Sequence, residues 1–299
     1  MKKTTNLLLV ILAVILASCG GTSRTVPVTG RKQTVYSDNA TFLSQSLTEY
    51  QGYVKKAKLS TNATNTAMVK RVGQRLANAV ETYLTNNGYA DEVKNYNWEF
   101  NLVQENQVNA FCMPGGKIVV YEGLLPVTQT ETALAIVLGH EIAHAVAYHS
   151  SEQYQNEIKK QAIGQIGGAV LSAAGMGANT ANTVAQLYGL GSQMATLKYS
   201  RGHETEADHI GLIFAAMAGY DPNEAITFWQ RMAQSNSGST PTWLSTHPSD
   251  AQRIANIKKV LPEALRYYNQ STGTTTTKKA GTTKKNAKTP KTSGTFHVK

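Results

Sequence analysis

Cysteine is scarce in this chain, and its scarcity limits how the fold can be stabilised. The 299 residues include two cysteines, Cys19 and Cys112. Two thiols form at most one disulfide, so a small disulfide-rich fold is excluded. Cys112 lies in an apolar segment and no histidine is obviously assigned to it. We therefore expect it to be a small, partly buried hydrophobic residue rather than a nucleophile.

Apolar runs long enough to cross a membrane are also lacking. The chain begins with the short apolar run of MKKTTNLLLVILAVILASCG, whose cationic start is typical of a secretory signal. Residues 16–19 resemble a bacterial lipobox, which implies cleavage before Cys19 and lipid attachment to its thiol. We expect a signal peptide over 1–18 and a lipid-anchored tether over 19–39. Because no aspartate follows Cys19, the location predicted is the outer membrane, facing the periplasm.

Acidic residues are too few to balance the basic ones, and the net charge is +10. Seven lysines lie in residues 269–299, which contain no acidic residue, and two more belong to the leader, so the remainder carries only +1. A nearly neutral body argues against nucleic-acid binding. The Thr/Lys/Gly-rich tail over 269–299 is predicted to be disordered, as a solvated spacer or as a contact for anionic lipid or cell-wall polymer.

Charge is absent altogether between Gln161 and Leu197. Glycines and amides interrupt every apolar run of the roughly 20 residues that a membrane helix needs. We interpret this segment as a helix followed by a mobile Gly-rich loop. Our hypothesis is that it acts as a lid that excludes folded proteins.

Hydrophobic periodicity predicts a mainly helical domain over residues 40–268. Strand-like alternation in NYNWEFNLVQ, and on both sides of the turn in NAFCMPGGKIVVYE, adds a small β-sheet, so the fold class is α+β. Thr128 and Glu131 have capping-box spacing at the start of one helix. The predicted helices that matter below are Thr41–Lys58, Thr64–Leu84, Thr128–His149 and Gly202–Gly219.

The stretch LGHEIAHAVAYH places several histidines on one of these helices. His140 and His144 are four residues apart and share a helix face, where one Zn²⁺ can bind both rings. Glu141 directly follows His140 and so points to a different side of the helix. This position suits the general base of a His-Glu-x-x-His site rather than a metal ligand. His149 follows nine positions after His140, on the opposite side of a continuous helix. We therefore expect His149 at the helix C-terminus, where the helix dipole favours it.

Zinc in such a site needs a third protein ligand, and the downstream segment SRGHETEADHIG offers candidates. Glu204 and Asp208 share a helix face, so one carboxylate can bind the metal while the other accepts a hydrogen bond from a ligand histidine. Glu206 points away from both. His203 and His209 lie off that face and are expected to be surface or packing residues.

These motifs together resemble the zinc metalloendopeptidase family of CAAX prenyl protease, HtpX and mitochondrial Oma-type proteases. The resemblance spans roughly residues 26–265 and includes PVTGR, NAFCMPGGKIVVYEGLL and STHPSDAQRI. The family's Ser-Arg-x-x-Glu-x-x-Ala-Asp motif is matched by Ser200, Arg201, Glu204, Ala207 and Asp208. The resemblance implies a zincin-like (gluzincin) domain whose edge strand flanks the active-site helix. The chain lacks the membrane helices of some branches, so it resembles the soluble periplasmic lipoprotein branch.

The resemblance also implies roles for individual residues. It makes His140, His144 and Glu204 the ligands of one Zn²⁺ per chain, and Glu141 the general base. Asp208 is implied to orient one of the two ligand histidines. His247 and Arg253 match the family's late segment; they are hypothesised to stabilise an oxyanion or, for His247, to fill the fourth zinc position in a resting form. The alternative places His247 in a turn and Arg253 on a helix surface.

The function expected from the sequence is hydrolysis of misfolded or stalled envelope proteins. Unfolded or misassembled proteins are the expected substrates, and the outer membrane and its assembly machinery are further expected partners. A cell-wall peptide hydrolase is one alternative, for which the basic tail gives mild support. A chaperone or assembly scaffold that retains a zinc site is the other.

Overall fold

The computed structural model describes residues 21–160, 199–234, 243, 247 and 251–273. The predicted signal peptide, the lipidation site Cys19 and the uncharged segment 161–197 lie outside the described residues, as does the tail beyond residue 273. What the sequence predicts for these segments, and the domain boundaries drawn from them, stays a prediction.

The described residues contain five strands and nine helices of four or more residues. The strands are β1 (Thr22–Thr25), β2 (Lys32–Val35), β3 (Glu99–Val103), β4 (Ala110–Met113) and β5 (Lys117–Tyr121). The helices are α1 (Asn39–Lys56), α2 (Ala63–Asn86), α3 (Ala90–Val93), α4 (Leu125–Thr128), α5 (Glu131–Val146), α6 (149–160), α7 (Arg201–Met217), α8 (Glu224–Gln234) and α9 (Ala251–Thr272). Within these residues, none of the helices combines the length and the apolar character that crossing a bilayer requires.

The strands form two small sheets, and the rest of the described chain is mainly helical. β1 and β2 make an antiparallel hairpin. The second sheet has the order β3-β5-β4, with β3 parallel and β4 antiparallel to the central β5. β4 is therefore an edge strand among the described residues, and it packs against α5. The predicted α+β class, with an edge strand beside the helix of the histidine motif, is confirmed.

Helix α5 runs through the centre of the core. Every residue from Ala133 to Val146 is buried, including the polar side chains of the histidine motif. A helix that is apolar on all sides is stable only when neighbours enclose it. Here α2, α7, α8 and β4 provide that enclosure. The polar residues of α5 are thus held in a low-dielectric interior.

Both ends of α5 differ from the prediction. The N-cap is Thr130, whose side chain accepts a hydrogen bond from the Ala133 amide at 3.0 Å. Thr128, the predicted cap, instead ends the preceding short helix α4, and Gln129 turns the chain with φ 63°. At the other end α5 stops at Val146 rather than continuing to residue 149, because Tyr148 has φ 55° and breaks the helical path.

Helices α5 and α7 touch backbone to backbone at two glycines. A Cβ on Gly139 would lie 2.7 Å from the carbonyl oxygen of Gly211, and one on Gly211 would lie 2.6 Å from the amide nitrogen of His140. Neither position has space for a side chain unless the helices separate. The two glycines therefore set the spacing between the helix that carries His140 and the helix that carries Glu204.

The segment interpreted as a tether contains the β1–β2 hairpin, which packs on the C-terminal end of α5. Arg24 donates to the Val146 carbonyl at 2.9 Å and pairs with Glu92 at 2.5 Å. Gln33 donates to the Ala147 carbonyl at 2.8 Å. These contacts satisfy carbonyls that a helix end leaves without an internal partner, so the hairpin is part of the folded domain.

We predict that Gly211→Ala destabilises the protein, because its methyl group would meet the backbone of α5. Overpacking of this kind costs about 1–3 kcal/mol, which offsets the gain in helix propensity from alanine. Urea unfolding followed by circular dichroism measures the change. Gly52→Ala is the matched control, since Gly52 is exposed in α1 and a methyl group there would meet no neighbour within 4 Å. A Gly211→Ala protein as stable as the wild type would refute the close contact.

Candidate metal centre

Four buried side chains converge at the junction of α5, α7 and the segment that carries residue 247. One donor atom from each of them lies within 4.8 Å of the donor atoms of the others. The four residues are His140, His144, Glu204 and His247. The structure therefore brings together His140, His144 and Glu204, which the family resemblance implies as ligands. It also adds His247, for which the sequence left two alternatives.

The first three donors come from two helices. His140 and His144 are one turn apart on α5, and their Nε2 atoms lie 3.0 Å from each other. Glu204 is in the first turn of α7, whose N-cap Ser200 accepts from the amide of residue 203. Each oxygen of the Glu204 carboxylate is 3.5 Å from the Nε2 atom of one of the two histidines. A carboxylate in this turn is further stabilised by the positive end of the helix dipole.

This donor set fits a zinc ion. Imidazole nitrogen and carboxylate oxygen are typical zinc ligands, and zinc favours four donors. The pKa of Glu204 lies far below its usual range: burial acts to raise it, but hydrogen bonds from His140, His144 and His247 prevail. The carboxylate is therefore an anion in the interior, which is costly unless a positive charge is close.

His140 is held by a second carboxylate on α7. Its Nδ1 atom lies 2.9 Å from Oδ1 of Asp208. Arg253 donates to the same oxygen at 2.7 Å, and its guanidinium stacks on Trp229 at 3.5 Å. Burial and the charge of Arg253 oppose protonation of His140, yet hydrogen bonds to Asp208 and Glu204 raise its pKa to about 9. The site thus favours positive charge between these groups, which a divalent cation supplies.

Glu141 is buried beside the cluster but is not one of its four donors. Its Oε1 atom accepts from the indole nitrogen of Trp243 at 2.7 Å and lies 3.6 Å from Nε2 of His247. One hydrogen bond thus fixes the carboxylate at the edge of the metal centre. This position suits a proton acceptor better than a ligand.

His247 and Arg253 are both buried in the cluster rather than exposed on a turn or a helix surface. Nδ1 of His247 lies 3.0 Å from Glu204 and 3.3 Å from Nε2 of His140. Arg253 approaches Glu204 at 3.4 Å and the carbonyl of His247 at 3.4 Å. Both side chains therefore reach the cluster, and the roles hypothesised for them stay predictions.

The position predicted for His149 is wrong. Because the chain turns at Tyr148, His149 begins α6 instead of ending α5, and its ring is fully buried. Its Nδ1 atom is 2.8 Å from Nδ1 of His144, and its Nε2 atom is 3.0 Å from Glu206. Burial lowers the pKa of His149 to about 4 against the effect of Glu206, so the ring is neutral at pH 7.

The remaining polar residues of α7 lie outside the four-residue cluster. His203 contacts Glu152 at 3.2 Å, and His209 contacts Glu263 at 2.8 Å. Glu206 faces the β1–β2 hairpin, away from Glu204. Its pKa is lowered to about 2: burial acts to raise it, but hydrogen bonds from His149 and Arg31 prevail.

Several residues of the site are not identifiable from the sequence. Trp243 belongs to no motif, although it lies four positions before His247. Its carbonyl oxygen accepts a hydrogen bond from the amide of His247 at 2.8 Å. Tyr199 stacks on His144 with ring centroids 3.9 Å apart. Cys112 is buried rather than partly buried, and burial raises the pKa of its thiol well above the usual range, with Glu141 adding to the effect. A thiol in that state is not a nucleophile.

Comparison of the sequence with known proteins also points to a metallopeptidase. A family model described as peptidase family M48 matches residues 63–261. The mitochondrial metalloendopeptidase OMA1 of Schizosaccharomyces pombe is 40% identical over 169 residues, which are 56% of this chain and 48% of that protein. Human metalloendopeptidase OMA1, mitochondrial, is 30% identical over 245 residues, 80% of this chain and 46% of that protein. The beta-barrel assembly-enhancing protease of Yersinia pestis is 33% identical over 178 residues, 56% of this chain and 36% of that protein.

These comparisons contradict the location predicted from the leader. Relatives with 40% and 36% identity in two yeasts, and others in a plant and in human, are named as mitochondrial proteins. The prediction of an outer-membrane lipoprotein facing the periplasm is therefore wrong by this comparison. The chain spans about half the length of the curated relatives it matches, or less.

We predict that the purified protein binds one zinc ion per chain and that Glu204→Ala weakens binding. Loss of a direct ligand should exceed the roughly 10- to 100-fold loss caused by removing a ligand's hydrogen-bond partner. Competition with a fluorescent chelator measures the affinity. His209→Ala is the control, because His209 is on the same helix but contacts Glu263 outside the cluster. Wild-type affinity in Glu204→Ala, or wild-type protein without stoichiometric zinc, would contradict this assignment.

Proposed function

The chain belongs to peptidase family M48, and we propose that it is a zinc-dependent endopeptidase that acts on misfolded or misassembled proteins. M48 peptidases use zinc, and the buried cluster of three histidines and a glutamate fits that ion, so the predictions of family and cofactor are confirmed. The observation that carries the proposed activity is the position of Glu141, buried beside the four donors and fixed by Trp243.

A bound zinc ion supplies Lewis acidity, which polarises a peptide carbonyl and lowers the pKa of a water molecule to about 7. Glu141 accepts a proton from the attacking water as the new C–O bond forms, and it delivers that proton to the amine as the C–N bond breaks. Trp243 holds the Glu141 carboxylate in one orientation through its indole N–H. Asp208 fixes the ring of His140 through Nδ1, which would leave Nε2 free to bind the metal ion.

The edge strand β4 supports an extended polypeptide as substrate. β4 pairs with β5 on one side only among the described residues, and it packs against α5. An extended peptide can add to such an edge through main-chain hydrogen bonds, with little selectivity for side chains. Folded proteins rarely offer a free extended segment, whereas misfolded ones do. The name of the Yersinia relative, a beta-barrel assembly-enhancing protease, is compatible with substrates of this kind.

His247 is proposed to fill the fourth zinc position in a resting form. Four protein donors give a closed site, and catalysis needs one position for water. His247 is held differently from the other three donors. Its amide donates a hydrogen bond to the carbonyl oxygen of Trp243. The amide of Trp243 in turn donates at 3.0 Å to the carbonyl oxygen of Val108, next to the edge strand β4. A peptide that adds to β4 competes for main-chain groups in this region. Substrate binding and the release of His247 are thereby linked.

We predict that Glu141→Gln folds and retains zinc but loses proteolysis. Removal of a general base lowers turnover by about 10²- to 10⁴-fold. Casein cleavage and zinc content measured on the same preparation test this. Glu263→Gln is the control, because Glu263 contacts His209 on the far side of α7.

Undiminished casein cleavage by Glu141→Gln would contradict the mechanism. Turnover of muropeptides but not of casein by the wild type would favour the cell-wall hydrolase. If Glu141→Gln replaces the wild type fully in cells while deletion does not, the scaffold function is favoured over the protease.

We predict that His247→Ala retains zinc and cleaves casein faster than the wild type. If the open form is about one tenth of the resting population, the rate rises about 10-fold. Initial rates at equal zinc content provide the measurement. His203→Ala is the control, since His203 is outside the cluster and contacts Glu152. A fall in rate would assign His247 to stabilisation of the oxyanion instead.

A further inference from the structure

The two ligand histidines of α5 are oriented in different ways. His140 meets a carboxylate directly, through Asp208 at 2.9 Å. His144 instead meets another histidine, since its Nδ1 atom lies 2.8 Å from Nδ1 of His149. Nε2 of His149 then lies 3.0 Å from Glu206. We call Glu206, His149 and His144 the histidine relay.

Only one arrangement of protons satisfies every contact of the relay. Nε2 of His144 faces the metal donors, so its proton is on Nδ1 and is donated to Nδ1 of His149. His149 must then carry its own proton on Nε2, which donates to the carboxylate of Glu206. The Glu206 carboxylate thus determines, through His149, which nitrogen of His144 is free for the metal.

Glu206 is in turn held by the turn of the β1–β2 hairpin. The Thr29 hydroxyl donates to one oxygen of the carboxylate at 2.5 Å, and Arg31 Nε donates to the other at 2.7 Å. The remaining nitrogens of the Arg31 guanidinium bind Glu152 at 2.8 and 2.9 Å and Gln33 at 3.1 Å. Both hairpin residues precede residues 63–261, the region that the family model matches.

We propose that His149 and Glu206 are positioning residues for the metal ligand His144, and that the β1–β2 hairpin, through Thr29 and Arg31, holds this relay in place. The inference rests on the proposed metal site and adds to it a part of the chain outside the matched region. The hairpin thereby becomes a determinant of zinc affinity. Its contribution is separate from the stability that it adds by packing on α5.

The hairpin supplies its own control for this proposal. Arg24 and Arg31 are both hairpin arginines that pair with a carboxylate, Glu92 for the former and Glu206 with Glu152 for the latter. Only Arg31 reaches the relay. Arg24→Met therefore weakens the attachment of the hairpin without changing the partner of His149, whereas Arg31→Met removes a donor to Glu206.

The experiment measures zinc affinity by chelator competition and, separately, thermal unfolding in EDTA, for His149→Phe, Arg31→Met, their combination and Arg24→Met. His149→Phe keeps the ring's bulk but neither nitrogen, and we expect zinc affinity to fall about 10- to 100-fold. Arg31→Met lowers the affinity by a smaller factor. In the combined variant the affinity equals that of His149→Phe alone, because the relay is already broken. Arg24→Met retains wild-type zinc affinity even where it lowers the unfolding temperature.

Three outcomes would overturn the proposal: wild-type affinity in His149→Phe, equal losses in Arg24→Met and Arg31→Met, or additive losses in the combined variant. If His149→Phe does not fold, the comparison of Arg31→Met with Arg24→Met decides the question alone. Failure of the metal site itself gives a different result, because the wild type would then bind no stoichiometric zinc. Since no proteolysis is measured, the mechanism assigned to Glu141 does not enter the result.

Discussion

The contact between Gly139 and Gly211 is the constraint on which the metal centre depends. It joins the backbones of α5 and α7 at the residue before His140, so the acidic side chains of α7 meet the histidines of α5 at hydrogen-bonding distance. Any larger residue at either glycine would separate the helices and the donors with them. One helix contact therefore sets the geometry of ligands that are about sixty positions apart in the chain. The motif residues supply the donor atoms, while the two glycines let the helices approach closely enough for those atoms to meet.

The charges buried at the site explain why it needs a divalent cation. Glu141, Glu204 and Asp208 are all buried, and the Arg253 guanidinium is the one strong base among their hydrogen-bond and ion-pair contacts in the described part of the chain. When the ligand imidazoles are neutral, as metal binding requires, three carboxylates against one guanidinium leave two negative charges in the interior, which a single Zn²⁺ would balance. Unpaired buried charges are expensive, so a bound metal ion would stabilise the fold as well as supply Lewis acidity.

Local sequence patterns predict which side chains of α5 and α7 can meet, because helical spacing places them on shared faces. His140 and His144 at i, i+4, and Glu204 with Asp208 at the same spacing, occupy single helix faces whatever surrounds them.

The errors arise where the backbone leaves a regular path. Tyr148 has positive φ without being a glycine, and no neighbouring Gly or Pro announces the turn, so the pattern puts His149 on the wrong helix. Trp243 escapes prediction because only tertiary packing brings its indole to Glu141. The hairpin resembles a tether in the sequence because its short strands have no apolar alternation.

The donors of the cluster differ in how firmly the fold holds them, and this difference decides which can move. His140 and His144 belong to a helix enclosed on all sides, and Glu204 is fixed to it through the two-glycine contact. His247 depends instead on one main-chain bond to Trp243 and on contacts with Arg253, near the edge of the small sheet. Removing a donor from an enclosed helix would require the core to unpack, whereas releasing His247 breaks a few local hydrogen bonds. In the proposed mechanism, a closed four-donor site therefore opens at lowest cost through His247, on the side where β4 offers its free edge.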